Sequence, residues 1–154
     1  MKRAKTLSKQ ELNRVLAVVA AGRNAERNKV VILLSFYAGL RAKEIAELTI
    51  GDIYSENGEV NRTVLLLAQQ TKGPQSRTFV INSKLAGVLL SYKKAVTNYA
   101  RCAPLIKSQK NSAFSANSMC QLMCRIYKDS GIAGASSHSG RRSFITNLAN
   151  KGVS

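Results

Sequence analysis

Val30-Val31-Ile32-Leu33-Leu34, followed by Phe36 and closed by Gly39, is the chain's longest run of large apolar residues. Read as a helix it is apolar on most of its sides, and such a helix belongs in the middle of a helical domain. It is far too short to span a bilayer, which takes about 20 apolar residues. The expectation is a central helix that its neighbours wrap. The chain has 154 residues, a length for one domain, and 45% of them are hydrophobic, enough for a sizeable core.

The flanking pattern is mostly helical. Ser8-Lys9-Gln10-Glu11 has capping-box form, with Leu12, Val15, Leu16 and Val19 following at helical spacing. This predicts a first helix from Ser8 to Ala20, broken at Gly22 and Asn24. A short helix is expected through Arg41 to Leu48. The period then changes. Asn57-Gly58 and Thr71-Lys72-Gly73-Pro74 are turn signals, and Val64–Leu67 and Arg77–Ile81 are β-rich runs. They predict a small antiparallel sheet whose tight turn displays Lys72. Helices are expected again over 84–102, 117–129 and from Ser139 to about Lys151. The fold class expected is α+β, mainly helical, with one small antiparallel sheet.

Charge narrows the function. Lys and Arg number 24 against 8 Asp and Glu, a net charge of +16 at pH 7. Self-repulsion of that size favours a polyanionic partner, and nucleic acid is the usual one. A membrane surface would need an amphipathic anchor or a lipid signal, and neither stands out. Cys102, Cys120 and Cys124 form an odd set without a CxxC pair, which argues against a disulfide framework and for a reducing cytoplasm. With His138 as the single histidine, a structural zinc site is not expected. No GxxxxGK[ST], HExxH or GxSxG string occurs. Nucleotide hydrolysis and metal-dependent catalysis are therefore not expected.

What remains is a set of cations at the breaks between elements. Arg41 opens a helix just after Gly39, Lys72 sits in a hairpin turn, and His138 and Arg141 stand three apart across a loop-to-helix junction. Taken singly, each has an ordinary reading: a solvated helix-start charge, an exposed turn lysine, a capping histidine. Taken together, two guanidiniums, an ammonium and an imidazole make a metal-free phosphate site. Arginine forks match phosphate oxygens, lysine protonates a leaving oxygen, and histidine passes a proton.

Gly39-Leu40-Arg41-Ala42-Lys43-Glu44-Ile45, Thr71-Lys72-Gly73 with Arg77 beyond it, and His138-Ser139-Gly140-Arg141-Arg142 occur in that order. In order, spacing and context they closely resemble the catalytic domain of tyrosine recombinases (phage integrases). The resemblance runs from about residue 8 to the end. It implies that Arg41 and Arg141 clamp the scissile phosphate and that Lys72 protonates the departing 5′ oxygen. It also implies that His138 contacts the phosphate and assists proton transfer, and that Glu44 buttresses Arg41. Lys43, Arg77 and Arg142 are implied as DNA contacts, with Arg142 where the family often has histidine. The implied partner is double-stranded DNA, engaged by four protomers during strand exchange, with no metal, ATP or other cofactor.

Two departures shape the expectation. Residues 1–7 read as a basic tail, too short for the family's N-terminal domain, which leaves 8–154 as the catalytic domain. The family's later His or Trp and its nucleophilic tyrosine lie beyond the HxxR helix, whereas Tyr37, Tyr54, Tyr92, Tyr99 and Tyr127 all precede His138. The domain is therefore expected without its C-terminal nucleophile segment, unable to cleave by itself and weakened in tetramer assembly. The reading from the residues leaves two alternatives open: a non-catalytic DNA-binding module or decoy at recombination sites, and a basic RNA-binding protein.

Overall fold

The computed structural model describes residues 4–67 and 75–151. Lys72, with Thr71, Gly73 and Pro74, lies outside the described residues. The order of elements is α1 (Lys9–Ala21), α2 (Ala25–Ala38), α3 (Ala42–Glu47), α4 (Ile50–Ile53), β1 (Thr63–Leu66), β2 (Arg77–Val80), α5 (Ser83–Tyr92), α6 (Ala116–Asp129) and α7 (Ser139–Asn150).

Helix α2 is the hub. Val30 through Phe36 are all buried, and α1, α5 and α7 pack around it. Helix α1 begins where the capping box predicts. The Ser8 side chain accepts from the Glu11 N–H at 3.1 Å, and Glu11 accepts from the Ser8 N–H at 3.0 Å. It lays Leu12, Val15 and Val19 on the core. Helix α6 does the same with Met119, Leu122, Met123 and Ile126, and packs on α3. Of the two cysteines there, Cys120 is half-buried and Cys124 is exposed.

The sheet is a two-stranded antiparallel ladder with Thr63 opposite Val80 and Leu66 opposite Arg77. Val64, Leu66 and Phe79 face inward, while Leu65 and Val80 face out. Helix α4 has no counterpart among the expected elements. A Thr49–Asp52 capping box starts it, with the Asp52 N–H donating to the Thr49 hydroxyl at 3.2 Å and the Thr49 N–H to the Asp52 carboxylate at 3.0 Å.

The helix expected over 84–102 is shorter. It ends at Tyr92 and passes through a single 3-10 turn, Lys93–Ala95. Val96, Thr97 and Asn98 are weak helix formers. The chain beyond must also return to the core, where Ala103, Leu105 and Ile106 are buried. The Leu105 N–H donates to the Leu48 carbonyl at 2.9 Å, and the Tyr92 hydroxyl donates to the Leu105 carbonyl at 2.9 Å. A straight helix could not make that return. No helix among the described residues is long and apolar enough to cross a membrane.

Candidate active site

The site forms where α2 ends, α3 begins and α7 packs on α2. Gly39 terminates α2 in the left-handed region at φ 72°, and the Gly39 N–H donates to the Ser35 carbonyl at 3.1 Å. Only glycine fits here for a second reason. A β-carbon on Gly39 would lie 2.5 Å from the Phe144 ring of α7. One turn earlier along α7, Gly140 lies against Ser35 so closely that a β-carbon would meet its Oγ at 2.1 Å. These two glycines let α7 settle onto the end of α2.

That approach brings Arg141 to the Gly39 carbonyl, which its Nη1 donates to at 2.6 Å. Gly39 lies past the helix end, so its carbonyl is one of the orphan acceptors there. Burial lowers the pKa of Arg141 from its ordinary value, and the neighbouring charges of Arg41 and Arg77 lower it further, against the opposing pull of Glu44. Arginine remains cationic at neutral pH all the same. Four ionic groups are thus gathered from α3, β2 and α7.

Glu44 is the centre of that group. It is fully buried, and its Oε1 accepts the Arg41 backbone N–H at 2.8 Å. This is half of a capping box; the other half is missing because an arginine side chain has no acceptor to return. Arg77 reaches across from β2 with both arms of its fork, Nε to Oε2 at 3.0 Å and Nη2 to Oε1. Arg41 makes one longer approach, Nη1 to Oε2 at 3.5 Å. A buried carboxylate needs such donors, because desolvation without them is severely unfavourable.

His138 stands at the start of α7, exposed, with its own N–H donating to the Ser136 hydroxyl at 3.2 Å. Arg41, His138, Arg141 and Arg142 line one open depression of about 280 Å³, together with Ala4, Ile145 and Thr146. Arg41 and Arg141 therefore share a face, with His138 beside them. Lys43, on α3, is half-buried and does not line this depression. None of the five tyrosines lines it either. Tyr54 and Tyr92 are buried and donate to the Leu89 and Leu105 carbonyls, and Tyr127 is buried in the core. No group of three His, Cys, Asp or Glu able to hold a metal ion occurs among the described residues.

The sequence reading set Arg77 among the DNA contacts; the structure turns its fork onto Glu44. A signal for this lay in the strand period. Arg77 shares parity with Phe79 and Ile81, which are buried, and an inward arginine needs a buried acceptor. The Gly39 carbonyl and the Gly140–Ser35 contact carried no sequence signal. A larger cleft of about 810 Å³, lined in part by Arg77, opens between the end of α2, β2 and α7, with Phe36, Phe79 and Phe144 in its walls.

A central helix, a small hairpin and two arginines at helix starts around one open depression define a mainly helical α+β domain with a cationic face. A sequence profile of the phage integrase family matches residues 5–154, and the chain belongs to that family. It is 25% identical over 150 residues to the tyrosine recombinase XerA of Thermococcus kodakarensis, covering 97% of this chain and 50% of that one. The Pyrococcus furiosus XerA matches at 25% identity, with 97% and 49% covered. The chain spans about half the length of these relatives. Among solved structures, XerA recombinase superposes with a TM-score of 0.77 at 19% identity, covering 99% of this chain and 53% of that one. The Tn1549 transposon integrase in complex with transposon right end DNA gives 0.75 at 17%, with 100% and 56% covered. Lambda integrase bound to DNA gives 0.72 at 16%, with 98% and 53% covered. These likenesses establish the tyrosine recombinase catalytic-domain fold.

Proposed function

We propose that this chain grips a phosphodiester of duplex DNA as the catalytic domain of a site-specific tyrosine recombinase. The observation that supports the reading is the shared depression, whose lining includes Arg41, His138 and Arg141. Arg41 and Arg141 hold the non-bridging oxygens; the Gly39 carbonyl aims the Arg141 guanidinium, and Glu44 fixes the Arg41 backbone through its N–H. His138, exposed at the rim, passes or holds a proton on a phosphate oxygen. Lys72 supplies the proton for the departing 5′ oxygen. The chain's charge of +16 supplies the longer-range attraction to the DNA backbone.

On this reading the chain alone holds the phosphate without cutting it, because none of its tyrosines lines the depression. The relatives named recombinases and the structures of integrases on DNA support the choice of substrate. The test measures binding of a labelled mixed-sequence duplex by fluorescence anisotropy across a salt series. Arg41→Gln and Arg141→Gln should each weaken binding about tenfold. Each should also reduce the salt slope by about one. A denaturing gel with a nicked duplex should show no covalent protein–DNA adduct. Unchanged binding in both variants would sink the proposal.

A further inference from the structure

Arg41 and Glu44 are three residues apart on one short helix, the spacing at which an arginine and a glutamate normally pair. In this structure they barely do. Glu44 is closed instead by Arg77, which arrives from the β-hairpin 33 residues away and takes both carboxylate oxygens. Among the described residues the Arg41 guanidinium has a single ionic approach, at 3.5 Å, while its backbone N–H holds the nearer oxygen at 2.8 Å. The two guanidiniums are almost equally open to solvent, 29% for Arg41 and 30% for Arg77. Exposure therefore does not select the partner; the register of β2 does, by placing Arg77 opposite Leu66 on the inward face.

We propose, resting on the function above, that Arg77 is a positioning residue: by occupying Glu44 it keeps that carboxylate off the Arg41 guanidinium and leaves Arg41 free for the phosphate. A buried carboxylate deprived of Arg77 has to find another donor. The nearest is the Arg41 fork, already 3.5 Å away. Closing that distance would put the carboxylate in direct competition with the phosphate for the same nitrogens. Arg77 thus acts through Arg41 and touches no DNA itself. It also sets the balance of charge in the cluster, where the guanidiniums of Arg41, Arg77 and Arg141 outnumber the one carboxylate of Glu44. That surplus stays available to an incoming anion.

The experiment is a double-mutant cycle read by anisotropy on the same duplex. Arg77→Gln should weaken binding about tenfold in the wild-type background. In the Arg41→Gln background the same change should cost less than about twofold, because the group it acts through is gone. Removing the carboxylate as well, in Arg77→Gln/Glu44→Gln, should restore most of the affinity. An equal loss in both backgrounds would show a direct DNA contact and overturn the inference, as would no loss in either. If Arg77→Gln does not fold by circular dichroism, Arg77→Lys takes its place: one ammonium replaces the fork, and the same dependence on Arg41 is expected. Failure of the wider reading looks different, since Arg41→Gln alone would then leave binding unchanged.

Discussion

Replacing Gly140 with alanine puts a methyl group where α7 crosses α2. In an open helix the change stabilises by about 0.5–1 kcal/mol, since alanine loses less backbone freedom on folding. Here the new β-carbon would lie 2.1 Å from Ser35 Oγ, 2.7 Å from Ser35 Cβ and 3.0 Å from the Ser35 carbonyl carbon. The hydroxyl can rotate away. The β-carbon and the carbonyl belong to Ser35, fully buried within the hub helix, and cannot. Overpacking of this kind costs about 1–3 kcal/mol, and clashes with fixed atoms put it at the upper end. The net expectation is a loss of about 2 kcal/mol, or about 4–8 °C in Tm for a chain of this size. Gly87 of α5 is the internal control, because its β-carbon would meet nothing within 4 Å. Gly87→Ala should raise Tm slightly. Thermal denaturation by circular dichroism compares the two. A Gly140→Ala protein as stable as Gly87→Ala would refute the close α2–α7 crossing and, with it, the placement of Arg141.

Three further outcomes follow from the same structure. Ser143→Ala removes the hydroxyl that accepts the Leu7 N–H at 2.7 Å and donates to the Ser139 carbonyl at 2.7 Å. It should cost about 1–3 kcal/mol and speed hydrogen exchange at the Leu7 amide; unchanged exchange there counts against the tie. Burial raises the phenol pKa values of Tyr54, Tyr92 and Tyr127. Their contribution is intact below the unfolded tyrosine range of about pH 10 and is lost as pH rises through the raised folded values. Phenolate absorbance from these three should therefore appear only with unfolding, and a smooth titration of all five tyrosines in the folded protein would contradict it. The Ser8 N–H, and then Lys5, lower the Glu11 pKa. The stability Glu11 adds is present above the unfolded glutamate value of about 4.3 and disappears as pH falls through the lowered one. The Tm gap between wild type and Glu11→Gln should be open at neutral pH and closed in strong acid.

Local rules wrote much of this fold into the chain. The Ser8–Glu11 box places the start of α1, the apolar girth of Val30–Phe36 makes α2 central, and strand parity orients the hairpin. Where local signals are weak, helical periodicity extends past the true end of the helix. The segment after Tyr92 leaves the helix because Leu105 and Ile106 must reach the core, a demand set by residues far away in sequence. The four-residue α4 leaves too short a pattern in the sequence, one capping box, to stand out from a loop.

The candidate site divides the same way. Arg41, His138 and Arg141 could be singled out because each stands at a helix start, where local chemistry leaves a mark. Their convergence could not, since it depends on how closely α7 approaches α2. Glycines at 39 and 140 permit that approach, but only packing shows what they meet. The partner of Glu44 was decided in the same manner. Sequence spacing favours Arg41, three residues away; the tertiary structure delivers Arg77 from another element with a better fork geometry. Periodicity and capping act over a few residues, so the sequence by itself determines where helices and strands begin and which faces they bury. Which charges meet at the site depends on distances between elements, and those are fixed only when the core packs.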